Sequence, residues 1–428
     1  MTHRSFAGSI SWKRLTGALA VAVIAIGVTA AATTTVLAQE KKAPAPAKAH
    51  GADAKKKFKI YWNLSLTSGG WIAAATNAVK ALAATPPYDK MVDLEIVISG
   101  LDIQKQISDY ESMIASRPDA IISMPFSATA INRAVRRGCD NGILMFMVEL
   151  TSTEPCAYNV STVTSGFGEN GAQALVNMLN GKGKVFVNRI VPGFMAEKRH
   201  YDGATHIFKK YPGIEVVAEY YGEATDEKAQ AETAKALAAH PDVAGIFSTP
   251  GEFGVLKAVI ASGRERLIPI VGEGSNGFRL ALADPALQKR GLRGVSSGGT
   301  PATAGYAFKL VMEVLTKQRK LTVHNIEYPL PWVPGEQVKI CAGDKFENGC
   351  NVFPNTKVPD TFFTEVLSPV YLPELTLVSA LEGKPTPGAT IHKLPDKVIQ
   401  APDTPGLNCQ KCKPNEYRLF KVKPTVNP

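Results

Sequence analysis

The chain has 428 residues, 45% of them hydrophobic and 20% charged, which suits two globular domains with additions and excludes a disordered polar chain. The formal net charge of +10 is compatible with nucleic acid as a partner. However, three of the cations lie in residues 1–38, the rest of the chain carries about +7, and much of that excess sits in the run KKAPAPAKAHGADAKKK of residues 41–57, which reads as a flexible linker.

Residues 1–38 read as an export signal. His3, Arg4, Lys13 and Arg14 precede an apolar run over 15–32, and Val36-Leu37-Ala38 is a small-residue cleavage site. The alternative is a retained membrane anchor, because the run is nearly long enough to span a bilayer. No cysteine follows the run, so a lipid attachment point is not expected. The expected compartment is the periplasm, after cleavage near Ala38, and an exported chain has no nucleic-acid partner. Residues 39–57 are the linker.

A strand is predicted within 57–66, followed by the loop Thr67-Ser68-Gly69-Gly70-Trp71 and an Ala-rich helix over 72–84. A second strand covers 94–98. A helix covers 103–115, with Ile107, Tyr110, Met113 and Ile114 on one face. The stretch RPDAIISMPFSATAINRAVRRGCDNGILMFMVE, residues 117–149, reads as strand, loop, helix, strand. Residues 120–123 are a short apolar run and Pro125 ends it. Ala128, Ile131, Ala134 and Val135 share a helix face, and 143–148 are continuously apolar, as in a strand buried on both sides of a parallel sheet. A right-handed βαβ unit follows. It places Met124, Pro125, Phe126 and Ser127 after one strand, and Glu149 and Leu150 after the next, where parallel sheets bind ligands.

The polar segment 151–158 reads as a crossing to a second lobe, where the alternation restarts. Helices are predicted over 166–179, 195–211, 227–240, 253–261 and 278–283, and strands over 184–189, 214–221, 243–248, 267–271 and 292–296. A helix over 301–315 returns to the first lobe. The fold class is thus α/β, with two Rossmann-like lobes built on parallel sheets. The first lobe takes residues 58–155 with about 300–333, and the second takes 156–299. From about 333 the periodicity fails, and residues 334–428 form an irregular, Pro-rich extension, either wrapped on the domains or mobile.

Six cysteines fit an oxidising compartment. Cys341 and Cys350 are placed to close a small loop, and Cys409 and Cys412 form CQKC. Cys139 and Cys156 flank opposite ends of the strand 143–148, about 20 Å long at about 3.3 Å per residue. A disulfide needs Cα atoms within about 7 Å, so this pair is not expected. CQKC has no second half-site and reads as a structural crosslink rather than a redox or metal motif. Two GxGxxG strings, Gly166–Gly171 and Gly272–Gly277, lack the acidic residue of a dinucleotide site, and the second reads as a glycine-rich turn lining a cleft. The histidines make no metal spacing. His200 and His206 lie on a charge-rich helix and read as solvent-facing. No SxxK motif occurs. Neither an enzyme nor a cofactor is expected.

From residue 58 to about 332 the order of elements resembles the ribose/galactose type of periplasmic solute-binding proteins, the type I binding fold of ABC transporters. The resemblance is carried by KIYWNLSLTSGGW, NGKGKVFV, HPDVAGIFSTPGEFGVLKAV and LIPIVGEGSNG, taken in order. The ligand domains of lactose-type repressors are relatives of that family, but a signal stands here in place of a DNA-binding helix pair. The resemblance implies a sugar held between two lobes joined by three crossings. Trp71 stands where an aromatic stacks on the sugar, with Ser68 and Gly70 in the same loop. Phe126 follows a strand exit. Glu149 stands near the acid ending the fourth strand, Lys198 or Arg199 near a cation on the helix after the second-lobe loop, and Glu252 and Glu273 on later ligand loops.

Four positions depart from the sugar binders. Glu149-Leu150 stands for Asp-Arg, Pro250-Gly251 for Asn-Asp, Gly274-Ser275 for Asp-Gly, and Gly298-Gly299 for the expected Gln. Hydroxyl-pairing groups discriminate strongly, so their loss points to a different solute. The expectation is a monomeric, exported protein that closes on a small polar solute and delivers it to a membrane ABC permease. The alternatives are a sensor subunit for a receptor or kinase, and an accessory protein of periplasmic redox metabolism that docks through residues 334–428.

Overall fold

A computed structural model describes residues 56–66, 69–162 and 164–399. The expectations for the signal, most of the linker, Ser68, Cys409 and Cys412 lie outside the described residues.

The first half runs β1 (Phe58–Leu64), α1 (Gly70–Ala83), β2 (Val92–Ile98), α2 (Ile103–Ala115), β3 (Ala120–Met124), α3 (Asn132–Asp140), β4 (Leu144–Val148) and β5 (Tyr158–Ser161). The second runs α4 (Thr164–Met178), β6 (Lys182–Arg189), α5 (Met195–Phe208), β7 (Gly213–Tyr221), α6 (Asp226–Ala239), β8 (Gly245–Ser248), α7 (Glu252–Ala261), β9 (Ile270–Gly272), α8 (Asn276–Ala283), α9 (Pro285–Lys289) and β10 (Gly294–Ser297). The chain then continues through α10 (Ala302–Leu315), β11 (Asn325–Glu327), β12 (Trp332–Pro334) and, within the extension, the short α11 (Leu377–Glu382).

Two six-stranded sheets result, in the orders β11-β5-β4-β3-β1-β2 and β12-β10-β9-β8-β6-β7. Every pairing is parallel except β12 on β10. The strands that read as apolar runs are central: β3 is buried at every residue, as helices on both faces require. The buried polar exception in β1 is Asn63. Its Nδ2 donates to the Val97 carbonyl and Ser99 Oγ, and its Oδ1 accepts from Gln106 Nε2 and Ser123 Oγ. Gln106 Oε1 then accepts from the Phe126 N–H, so one satisfied network fixes the loop after β3.

The chain passes between lobes after β5, after β10 and after β11. The boundary expected at residue 155 moves, because Tyr158–Ser161 is a strand of the first sheet, paired in register with Phe146–Val148. The same strand corrects the cysteine expectation. Cys139 and Cys156 are disulfide-bonded, with Cα atoms 6.4 Å apart. Since β5 runs parallel to β4, the connection after β4 must travel back along the whole strand before β5 begins. It delivers Cys156 to the same end of the sheet as the end of α3. Cys341 and Cys350 are also joined.

The described part of the extension is packed on the body. Phe353, Val358, Val366 and Leu372 are buried in the first lobe's core cluster. Among its polar attachments, three run through charged side chains of the body. Arg279 on α8 pairs with Glu365 while also donating to Ser296 Oγ and the Asn351 carbonyl. Lys309 on α10 pairs with Glu374 at 2.7 Å, both fully buried. Arg319 pairs with Glu313 and donates to the carbonyls of Leu394, Pro395 and Asp396. The first attachment lies on the second lobe and the other two on the helix α10 and its exit in the first, so the extension spans both.

Candidate functional site

The carboxyl ends of the two sheets face a cavity of about 100 Å³, several times the ~10–15 Å³ one water needs. From the first lobe it is lined by Leu66, Gly69, Gly70, Trp71 and Ile72 around the exit of β1, by Met124 after β3, and by Glu149 and Leu150 after β4. Thr162 lies on the crossing. The second lobe supplies Phe167, Ile190, Ala196, His200, Ala224, Pro250, Glu273 and Gly299, and the extension supplies Phe363. The site thus occupies the place that parallel sheets reserve for ligands.

Glu149 sits on a left-handed residue, φ 58°, which turns its side chain inward after β4. It is 5% exposed. Its Oε2 accepts from Thr162 Oγ1 at 2.7 Å, while its Oε1 is buried without a hydrogen-bond partner among the described residues. Burial pushes its carboxyl up to about 7, a rise only partly offset by the hydroxyls of Thr162 and Thr303 and by the Arg199 charge. Burial, then the nearby Glu252 and Glu149 charges, hold Glu273 well above the usual carboxylate range. His200 Nδ1 lies 3.9 Å from Glu273 Oε1, too far for a hydrogen bond, and has no other partner. Burial and the adjacent Arg199 push the ring down to about 3, so it is neutral. Trp71 is pinned by its Nε1–H donating to the Gly299 carbonyl at 2.9 Å, a bond across the cavity wall.

Among the residues singled out in the sequence, Gly70, Trp71, Glu149 and Glu273 are brought together on the cavity. Phe126 packs beside it against Phe194 of the second lobe, with ring centroids 5.6 Å apart. Arg199 lies behind the wall and donates to Thr151 Oγ1 across the lobes. Glu252 lies beneath the loop after β9, where its Oε1 accepts from the Ser275 N–H. Lys198 points outward, largely exposed, and pairs with Asp202.

The solvent-facing reading of His200 is corrected: it is 8% exposed and lines the cavity. On α5, Ala196, His200, Ala204 and Ile207 recur at helical spacing, and the charged residues of the same helix hid that stripe. Phe167, inside the first GxGxxG string, also reaches the cavity. Phe363 had no periodic pattern to reveal it.

Two departures from the sugar binders have a steric cause. A side-chain Cβ at Gly299 would come 3.1 Å from Glu149 Oε2, and one at Gly298 would come 2.8 Å from Glu273 Cγ. The two acids therefore fill the space where a Gln would stand. At Gly274 a Cβ would run into the Glu365 carboxyl, so there the extension takes the room. It also takes the amides at the start of α8: Asn276 N–H donates to the Phe362 carbonyl and Gly277 N–H to that of Asp360. A phosphate would need those donors, which accords with a structural turn at the second glycine string.

The family model described as "Periplasmic binding protein domain" matches residues 60–319. The xylitol-binding protein of Mycolicibacterium smegmatis is 26% identical over 191 residues, 43% of this chain and 54% of the relative. The ribose import binding protein of Bacillus subtilis is 24% identical over 217 residues, 50% of this chain and 69% of the relative. The chain thus spans about half the length of the first of these relatives and about two thirds of the second. Among solved structures, a periplasmic solute-binding protein from Actinobacillus succinogenes with bound D-allose aligns with a TM-score of 0.55 and 22% identity, over 66% of this chain and 99% of that one. The arabinose-binding component from Shewanella sp. ANA-3 aligns with a TM-score of 0.57 and 20% identity, over 65% and 92%. These likenesses are of fold.

Proposed function

The chain belongs to the periplasmic binding protein domain family, and from that premise we propose that it captures a small solute between its two lobes in the periplasm and delivers it to a membrane ABC permease. The observation that carries this reading is the cavity at the carboxyl ends of both sheets, with Trp71 and Glu149 from one lobe facing His200 and Glu273 from the other. A solute touching both walls stabilises the approach of the lobes, and the closed form is what a permease would recognise. The cross-lobe contacts of Phe126 with Phe194 and of Arg199 with Thr151 belong to that closed form. The described part of the extension supports a structural role over that of a free docking arm, because its apolar side chains are buried in the body.

A thermal-shift screen of the chain against polyols, pentoses, hexoses, amines, amino acids and organic acids tests the proposal. A solute at 100 times its Kd should add about 2.7 kcal/mol of stability, with scattering that reports a more compact form. Absence of any stabilising solute in these classes would overturn capture, and scattering unchanged by every solute that binds would overturn closure. The relatives named for xylitol and ribose make those two compounds the first to try.

A further inference from the structure

Resting on the capture reading, we infer that the solute carries a protonated amine on a small apolar body. The polar side chains lining the cavity are Glu149, Glu273, Thr162 and His200, and no lysine or arginine lines it among the described residues. Such a wall disfavours a carboxylate or phosphate. The Thr162 hydroxyl is already committed to Glu149 Oε2. What remains are acceptors: Glu149 Oε1 and His200 Nδ1, both on residues more than nine-tenths buried and both without partners, and the Glu273 carboxyl. Unpaired buried acceptors are costly to leave so. An ammonium has three donors and no acceptor, which matches this set. A polyol also brings acceptors, which only carboxyls kept protonated and the imidazole N–H could meet. The rest of the lining is apolar, and Trp71, Phe167 and Phe363 are aromatic, suited to the face of a cation and to a hydrocarbon body.

Binding is written as an exchange. The ammonium keeps its proton, and the carboxyl proton held on Glu149 or Glu273 in the empty site leaves to solvent. The charged and titratable groups facing this pair are Arg199 and His200 on α5, Glu252 on α7, and Tyr328 after β11. Affinity therefore rises with pH through about 7, by up to tenfold per unit for one released proton.

Calorimetry on the full chain with benzylamine, benzyl alcohol, D-ribose and xylitol tests this at pH 7.5. Benzylamine is expected to bind at least tenfold more tightly than benzyl alcohol, to release a proton, and to lose that preference in Glu149→Gln. Glu273→Gln serves as the second variant should the first not fold. Equal binding of alcohol and amine overturns the inference. Ribose or xylitol binding without benzylamine overturns it while keeping capture. No binding by any of the four overturns the amine and removes the relatives' solutes from the capture reading as well, leaving only the wider screen to sustain it.

Discussion

Phe146 and Phe353 are both fully buried, yet different devices hold them. Phe146 lies in the middle of β4, and the flanking strands β3 and β5 satisfy its backbone. Phe353 lies in irregular chain, where one side chain does the work of a strand: its N–H donates to Asn276 Oδ1 and its carbonyl accepts from Asn276 Nδ2. The body thus buries apolar residues through repeated ladders. The extension buries them where polar side chains of the body meet its main chain, with ion pairs as anchors. Buried backbone must be paired in either case, and the second solution needs no periodicity.

Truncation separates the two regions most visibly. A chain ending at Gln337 would uncover the apolar surface now under Phe353, Val358, Val366 and Leu372, and would leave Arg279 and Lys309 buried or half-buried without their acids. We expect loss of the cooperative melt, read by circular dichroism and calorimetry. A truncated chain that melts within a few degrees of the full one would make the extension an appendage.

A point substitution asks the same question more finely. Glu365→Ala removes the carboxyl that pairs with Arg279 on α8, leaving a buried guanidinium uncompensated. Breaking such a pair costs about 3–5 kcal/mol, to be read from urea unfolding. Replacing both partners, as Arg279→Met with Glu365→Leu, should recover much of the loss. A single substitution costing under about 1 kcal/mol would mean that this anchor holds nothing.

The buried acids at and beneath the cavity give a pH signature that belongs to the body. Glu149 and Glu252 are raised to about 7 by burial, and burial also holds Glu273 well above the usual carboxylate range. In the unfolded chain such groups titrate near 4.3. Between those values the folded state binds more protons, so stability falls as pH rises from about 4.5 to 7. His200 opposes this below 6.5, because the unfolded ring takes a proton that the buried one refuses. Three carboxyls against one imidazole leave a net fall. Glu149→Gln should flatten the slope by about 3 kcal/mol over that range, measured by chemical unfolding at pH 5 and pH 7.5. A slope unchanged by the substitution would show that Glu149 is hydrated.

The contrast between regions also marks what could be read from the chain. The strands β3 and β4 and the alternation through β10 were legible because burial on two faces writes itself as apolar runs. Glu149 and Glu273 directly follow strands, and Gly70 and Trp71 open the helix after β1, so their place on the cavity wall follows from the strand ends. His200 was hidden by its charged helix, and β5 by a polar connection read as a crossing. Phe363 and the anchor Glu365 carry no local signal, since their partners Ser275, Arg279 and Thr300 are distant in the chain.

The two disulfides among the described residues permit the finest test, because one lies in the body and one in the extension. Cys139–Cys156 closes a separation of 17 residues in the body, and Cys341–Cys350 one of 9 in the extension. Loop-closure entropy gives about 3 kcal/mol for the first and about 2.5 kcal/mol for the second. Those values apply only if each loop is free in the unfolded state and ordered in the folded one. If body and extension unfold as one unit, Cys341→Ser/Cys350→Ser should lower the midpoint of the whole transition nearly as much as Cys139→Ser/Cys156→Ser does. If the extension unfolds first, the Cys341 variant should instead split off an early, smaller transition and leave the main midpoint in place. The ion pairs and the Asn276 bridge favour the single transition, because no part of residues 350–375 can leave without exposing groups that the body has already buried.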